Sequence, residues 1–125
     1  MIDCLLEHSD NVHEDFSNRD LFNSLHLILS EHGEFPIEEI QSRAVIHKRY
    51  YVGDGREENA FVQLSLTIPE PLDSRRKPAL AEVLLNLLKS EFFYSFQQLN
   101  CTITVKITDG DSGRYNQSIH SAAVL

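Results

Sequence analysis

Positive charge is scarce in this 125-residue chain: 11 Lys and Arg stand against 19 Asp and Glu, a formal net charge of −8. A nucleic-acid binder needs clustered cations to release the counterions of a phosphate backbone, so this balance excludes that class of partner. It argues equally against an anionic membrane surface. Long apolar runs are missing too. No stretch approaches the roughly 20 residues of a membrane span, and no charged segment leads into a short apolar one as in an export signal. The expectation is a cytoplasmic protein whose first strand starts at the N-terminus with no leader before it. Cysteine is limited to Cys4 and Cys101, both in predicted strands on apolar faces. Neighbouring strands would allow a bridge; a reducing compartment would leave two buried thiols. Neither has the electropositive surroundings of a reactive thiolate. Also missing are a glycine-rich phosphate loop and a His-Glu-x-x-His spacing. The run from Glu7 to Asp15 is rich in metal-capable side chains but irregular, and reads as a hydrated acidic loop with no metal.

What is present is an ordinary globular composition, 42% apolar and 24% charged, sized for one core and a single domain over 1–125. Leu21, Phe22, Leu25, Ile28 and Leu29 recur at helical spacing and predict a helix over 18–32. Ser17 or Asn18 can cap its start, and Gly33 would end it as a left-handed residue. A strand over 42–52 follows, then a tight turn at Gly53-Asp54-Gly55. Ala60, Val62, Leu64, Leu66 and Ile68 alternate with Phe61, Gln63, Ser65 and Thr67, the pattern of a strand with one buried and one polar face. Leu80, Val83, Leu84, Leu87, Leu88, Phe92 and Phe96 mark a longer helix over 74–97, with Pro78 in its first turn. Cys101, Ile103, Val105 and Ile107 alternate with Thr102, Thr104, Lys106 and Thr108 in a fourth strand, and a polar, irregular tail follows Gly110.

The order β-α-β-β-α-β predicts an α+β fold. Each crossover is long enough to join parallel strands, giving a four-stranded mixed sheet with two helices on one face. The other face carries Gln63, Ser65, Thr67, Thr102 and Thr104, with Arg43 and His47 as candidates to join them. Two arrangements satisfy it: the face meets water, or three subunits curl it around a shared polar lumen. His47 and His120 are candidate proton shuttles or structural histidines, and His32 in the last helical turn suits the helix dipole.

Several segments, in order and spacing, carry a resemblance. They are Glu7-His8-Ser9-Asp10-Asn11 after the first strand, Gly33-Glu34-Phe35-Pro36 after the first helix, Ser42-Arg43 and Asp54-Gly55. Ala60-Phe61-Val62 and the stretch from Asn116 to His120 complete the set. Together they resemble the tautomerase superfamily, and within it the 5-carboxymethyl-2-hydroxymuconate isomerases, over nearly the whole chain. The resemblance implies a homotrimeric barrel with an active site at each N-terminus near a subunit interface. It also implies a 1,3-allylic proton transfer that converts an unsaturated 2-hydroxy diacid to its 2-oxo isomer without metal or cofactor. The base in that family is the secondary amine of an N-terminal proline; α-amines titrate near about 7.7–8.0, close to working pH. Cationic side chains hold the substrate carboxylates and steady the developing dienolate.

Three positions depart from the family pattern. The proline position is Ile2, behind Met1, so the terminal amine is a primary one on Met1, one residue further out. A family arginine aligns with Gln41, which cannot form a bidentate pair with a carboxylate. Leu72 stands where another substrate-binding arginine is expected, with Arg75, Arg76 and Lys77 just beyond. Cations in a first helical turn oppose the dipole. They point either to an anion site or to pairing with acidic neighbours such as Glu70 and Asp73. The candidate site is therefore Met1 and Ile2 at the base position, with Gln41, Arg43, Arg75 and Arg76 for a small carboxylate ligand. Three functions fit: an isomerase of small unsaturated oxo-acids in aromatic catabolism, a catalytically degenerate relative that binds a small ligand or partner, and a purely structural trimer.

Overall fold

The structure is a computed structural model that describes residues 1–14, 18–110 and 113–121. Its elements are β1 (Ile2–Ser9), α1 (Asn18–Glu31), a single 3-10 turn (Ile37–Glu39), β2 (Ile40–His47), β3 (Asn59–Ile68), α2 (Arg76–Glu91), α3 (Phe93–Gln98), β4 (Asn100–Asp109) and β5 (Gly113–His120). The sheet order is β2-β1-β3-β4-β5. β1 and β2 are parallel, as are β3 and β4, and the two halves meet antiparallel at β1 and β3. The mixed sheet thus has five strands, not the expected four. The polar tail forms β5, antiparallel on β4, with Ile107 opposite Tyr115 and Ile103 opposite Ile119.

One core holds the fold together. Ile2, Cys4 and Leu6 of β1, alternate residues from Ala60 to Ile68 of β3, and Cys101, Ile103, Val105 and Ile107 of β4 all face the helices. Leu21, Leu25 and Leu29 of α1 and Leu80, Ala81, Leu84, Leu85 and Leu88 of α2 cover them. The buried stripe of α2 is thus turned toward Ala81 and Leu85, and Val83 and Leu87 lie only half-buried beside it. The expected helix over 74–97 is divided. Phe92, fully buried, leaves helical geometry at φ −106°, ψ 27°, ends α2 and starts α3. β2 is shorter than expected, because its pairing with β1 ends where Ser9 meets His47.

The end of α1 also departs from expectation. The left-handed residue is Glu34 (φ 60°), not Gly33. Gly33 is required for another reason: a Cβ there would lie 2.5 Å from the Phe35 ring and 2.7 Å from the Leu29 carbonyl oxygen. The Phe35 N–H closes the motif by donating to that same carbonyl. The Ser17 alternative for the α1 cap lies outside the described residues. Gly53 (φ 56°) and Gly55 (φ 79°) make the turn before β3 in the conformation that glycine tolerates best. Cys4 and Cys101 are free and buried; β3 lies between their strands, so no bridge can span them. No described helix is long and apolar enough to cross a membrane.

Candidate active site

The topology gathers the candidate residues at one end of the sheet. β1 and β2 start there, side by side, with Ile2 opposite Ile40 and Asp3 opposite Gln41. β3 ends there at Thr67 and Ile68, β4 ends at Asp109, and α2 begins there at Arg76. Met1, Gln41, Arg43, Arg75 and Arg76 thus share one rim, although up to 75 residues separate them in sequence.

Period-two alternation sends Ile2 and Asp3 to opposite faces. Ile2 is 4% exposed and belongs to the core, whereas Met1 is 70% exposed. With Met1 before it, the nitrogen of Ile2 is a peptide nitrogen and cannot serve as a base. Asp3 points to the open face. Its Oδ1 accepts a hydrogen bond from Gln41 Nε2 at 2.9 Å and one from Arg43 Nη1 at 2.5 Å. These bonds, that from Gln41 first and that from Arg43 second, hold the Asp3 carboxyl below its usual titration range. The two residues aligned with carboxylate binding therefore already hold a carboxylate, one that belongs to the chain itself.

The cations at the start of α2 divide between roles. Arg76 extends to the end of α1, where Nη2 donates to the Gly33 carbonyl at 2.5 Å and lies 3.9 Å from Glu34. It satisfies a carbonyl left over at a helix C-terminus, where a cation is favoured. It also lines a cleft of about 110 Å³ with His32, Ala79, Leu80 and Val83. Lys77 pairs at 2.7 Å with Asp109, which is buried at the end of β4. The other oxygen of Asp109 accepts the backbone N–H of Leu72. That backbone bond, then Lys77, lowers the Asp109 titration point. Leu72 itself is buried, so the residue aligned with an expected arginine is a packing residue that fixes the loop before α2. The Arg75 backbone N–H donates to Asp73. Its guanidinium is exposed and makes no hydrogen bond or ion pair among the described residues.

Of the histidines singled out in the sequence, His32 lines the cleft beside Arg76, and His47 and His120 lie elsewhere. His47 bonds Glu7 at 2.7 Å and tilts against Phe61. His120 meets Thr102 at 2.6 Å. Both lie at the opposite end of the sheet, where β1 ends and β4 begins. His26 reaches Ser42 at 2.7 Å, and burial lowers its titration point. His8, expected in a hydrated loop, is buried instead: Nδ1 donates to the Ser9 carbonyl at 2.8 Å and Nε2 meets Glu14 at 2.5 Å. Among the described residues no three His, Cys, Asp or Glu side chains converge as metal ligands would. Sequence reasoning missed Asp3. The signal was available only in hindsight of the register: an acid on the outward face of β1, directly opposite Gln41 and diagonal to Arg43.

A family model described as 5-carboxymethyl-2-hydroxymuconate isomerase matches residues 4–122. No curated protein matches the sequence. Among solved structures, a 5-carboxymethyl-2-hydroxymuconate isomerase from Deinococcus radiodurans R1 superposes with a TM-score of 0.78 at 24% identity, covering 93% of this chain and 90% of that one. A 5-carboxymethyl-2-hydroxymuconate delta-isomerase gives a TM-score of 0.76 at 16% identity, with 90% and 84% covered. A macrophage migration inhibitory factor-like protein from Entamoeba histolytica gives 0.60 at 14% identity, with 91% and 98% covered. At these identities the structural likenesses speak for the fold.

Proposed function

The chain belongs to the 5-carboxymethyl-2-hydroxymuconate isomerase family, and from that premise we propose that it catalyses enol-to-ketone proton transfer on small unsaturated oxo-diacids of aromatic catabolism. The reading is supported by the shared end of the sheet, where Met1, Gln41 and Arg43 flank the start of β1 and Arg75 precedes α2. In the proposed reaction a base takes the enol hydroxyl proton, the oxygen becomes a carbonyl, the double bond shifts, and the distal carbon receives a proton. No electrons are gained or lost, so the chemistry calls for no redox cofactor. The base is the amine of Met1, taken as the terminal residue; an intact mass is the direct check. Arg75 holds a substrate carboxylate, and Arg43, already paired with Asp3, helps offset the charge that develops on the dienolate.

The reading includes a cytoplasmic homotrimer that closes the open sheet face, where Val45 is exposed and Leu5 half-buried. Sedimentation tests it, since a stable monomer would leave no interfacial site. A second reading is supported by the burial of Ile2 and by the carboxylate already seated on Arg43: a protein that binds a small carboxylate ligand without converting it. Turnover separates the two. The first reading expects ultraviolet-detected ketone formation from 2-hydroxymuconate that falls at least tenfold in Arg75→Gln. The second expects binding without turnover.

A further inference from the structure

We propose that Asp3 sets how many substrate carboxylates this site accepts. Its own carboxylate occupies the seat formed by Gln41 and Arg43, so the preferred ligand carries one carboxylate fewer than the open seat would take. For the enol acids considered above, this favours an unbranched diacid over its carboxymethyl-bearing triacid. The inference rests on the reading of this rim as a carboxylate site.

The geometry supports it in three steps. First, Asp3 is held by two donors on one oxygen, Gln41 at 2.9 Å and Arg43 at 2.5 Å, which is how a bound carboxylate would be held. Second, the seat is reachable: Arg43 is 55% exposed and Asp3 28%, so an incoming anion meets the pair directly and finds its charge already balanced. Third, replacement cations are few at this rim. Arg76 is bound to the Gly33 carbonyl and Lys77 to Asp109. Lys106 of β4 shares the open face, but two strands, β1 and β3, lie between it and Arg43. Three spacings of about 4.8 Å put the two backbones about 14 Å apart, so Lys106 is not part of the seat formed by Gln41 and Arg43. Arg75, and Arg114 exposed at the start of β5 at the same end of the sheet, are left to hold substrate carboxylates. A third would have to displace Asp3 or lie against its charge.

The test uses two stable saturated acids that differ by one carboxylate, adipate and 3-carboxyadipate, titrated calorimetrically into the wild-type protein, Asp3→Asn, and Asp3→Asn combined with Arg43→Gln. Melting curves confirm that each variant is folded. The wild type is expected to bind adipate at least as tightly as 3-carboxyadipate. Asp3→Asn should raise affinity for 3-carboxyadipate about tenfold, the scale of one charge-assisted bond regained, and for adipate less than about threefold. Adding Arg43→Gln should remove the gain. If both acids bind and Asp3→Asn leaves their ratio unchanged, or strengthens both alike, the inference is overturned while the carboxylate site stands. If neither acid binds any variant, the carboxylate-site reading fails and takes the inference with it.

Discussion

Replacing Ile2 with proline should restore a base at the position where the family carries one. A small residue after Met1 permits removal of the methionine, leaving a secondary amine at the start of β1. Ile2 is 4% exposed and packs in the core, so the substitution has a structural cost. A proline ring fills less of the site than isoleucine, and the loss is about 1–2 kcal/mol by analogy with other large-to-small core changes. For a domain of this size that lowers Tm by roughly 3–5 °C per kcal/mol. Proline at the first residue of a strand removes no essential ladder bond, so the fold should survive. The catalytic effect should be larger. On the proposed reading the wild-type base is the Met1 amine, one residue outward and about 3.8 Å away along the chain, and a misplacement of even 1 Å can cost about 10²-fold in rate. Ile2→Pro should therefore convert 2-hydroxymuconate at least about 10²-fold faster than the wild type. Intact mass establishes that the chain begins with proline, a melting curve gives the stability cost, and ultraviolet absorbance gives the rate. A folded, proline-terminated variant that is no faster than the wild type would refute the assignment of the base to this position.

Three further outcomes follow from the packing and electrostatics. Phe92→Ala removes a fully buried ring that joins α2 to α3 and lies 5.6 Å from His8, and should cost about 3–5 kcal/mol in denaturant unfolding. Burial pushes the thiols of Cys4 and Cys101 up to about 11, so both should resist iodoacetamide at pH 8 in the native protein and react once it is unfolded; rapid native labelling would contradict their placement. Asp109→Asn leaves Lys77 without its partner and should lower Tm by several degrees at pH 7. Because folding depresses the Asp109 pKa below the ordinary 3.8, its contribution is full above that value and fades as pH falls through the lowered one. The gap between wild type and variant should therefore close in acid.

The fold was legible wherever one periodicity dominated. β3 and β4 alternate cleanly, and α1 buries Leu21, Leu25 and Leu29 as their spacing requires. β5 was not legible, because Arg114, Asn116, Ser118 and His120 are polar and outward while the inward positions include Gln117, leaving only Tyr115 and Ile119 as an apolar signal. The break at Phe92 was hidden for the opposite reason: Leu88, Phe92 and Phe96 keep helical spacing across it. At the site, the rim residues Met1, Gln41, Arg43, Arg75 and Arg76 could be named from sequence and do share one end of the sheet. Their partners could not. Asp3 meets Arg43 through strand register across 40 residues, and Arg76 meets Gly33 across 43; neither contact leaves a local pattern. The inward turn of His8 was legible in principle, since it continues the buried alternation of Ile2, Cys4 and Leu6 along β1.

The most direct test of the isomerase reading compares native protein with protein acetylated at its N-terminus, each at high concentration with 2-hydroxymuconate and 5-carboxymethyl-2-hydroxymuconate, following ketone formation by ultraviolet absorbance. The account predicts a rate above that of buffer for the native protein, faster with 2-hydroxymuconate, and its loss on acetylation. A native rate equal to that of buffer, or one that acetylation leaves intact, would contradict it.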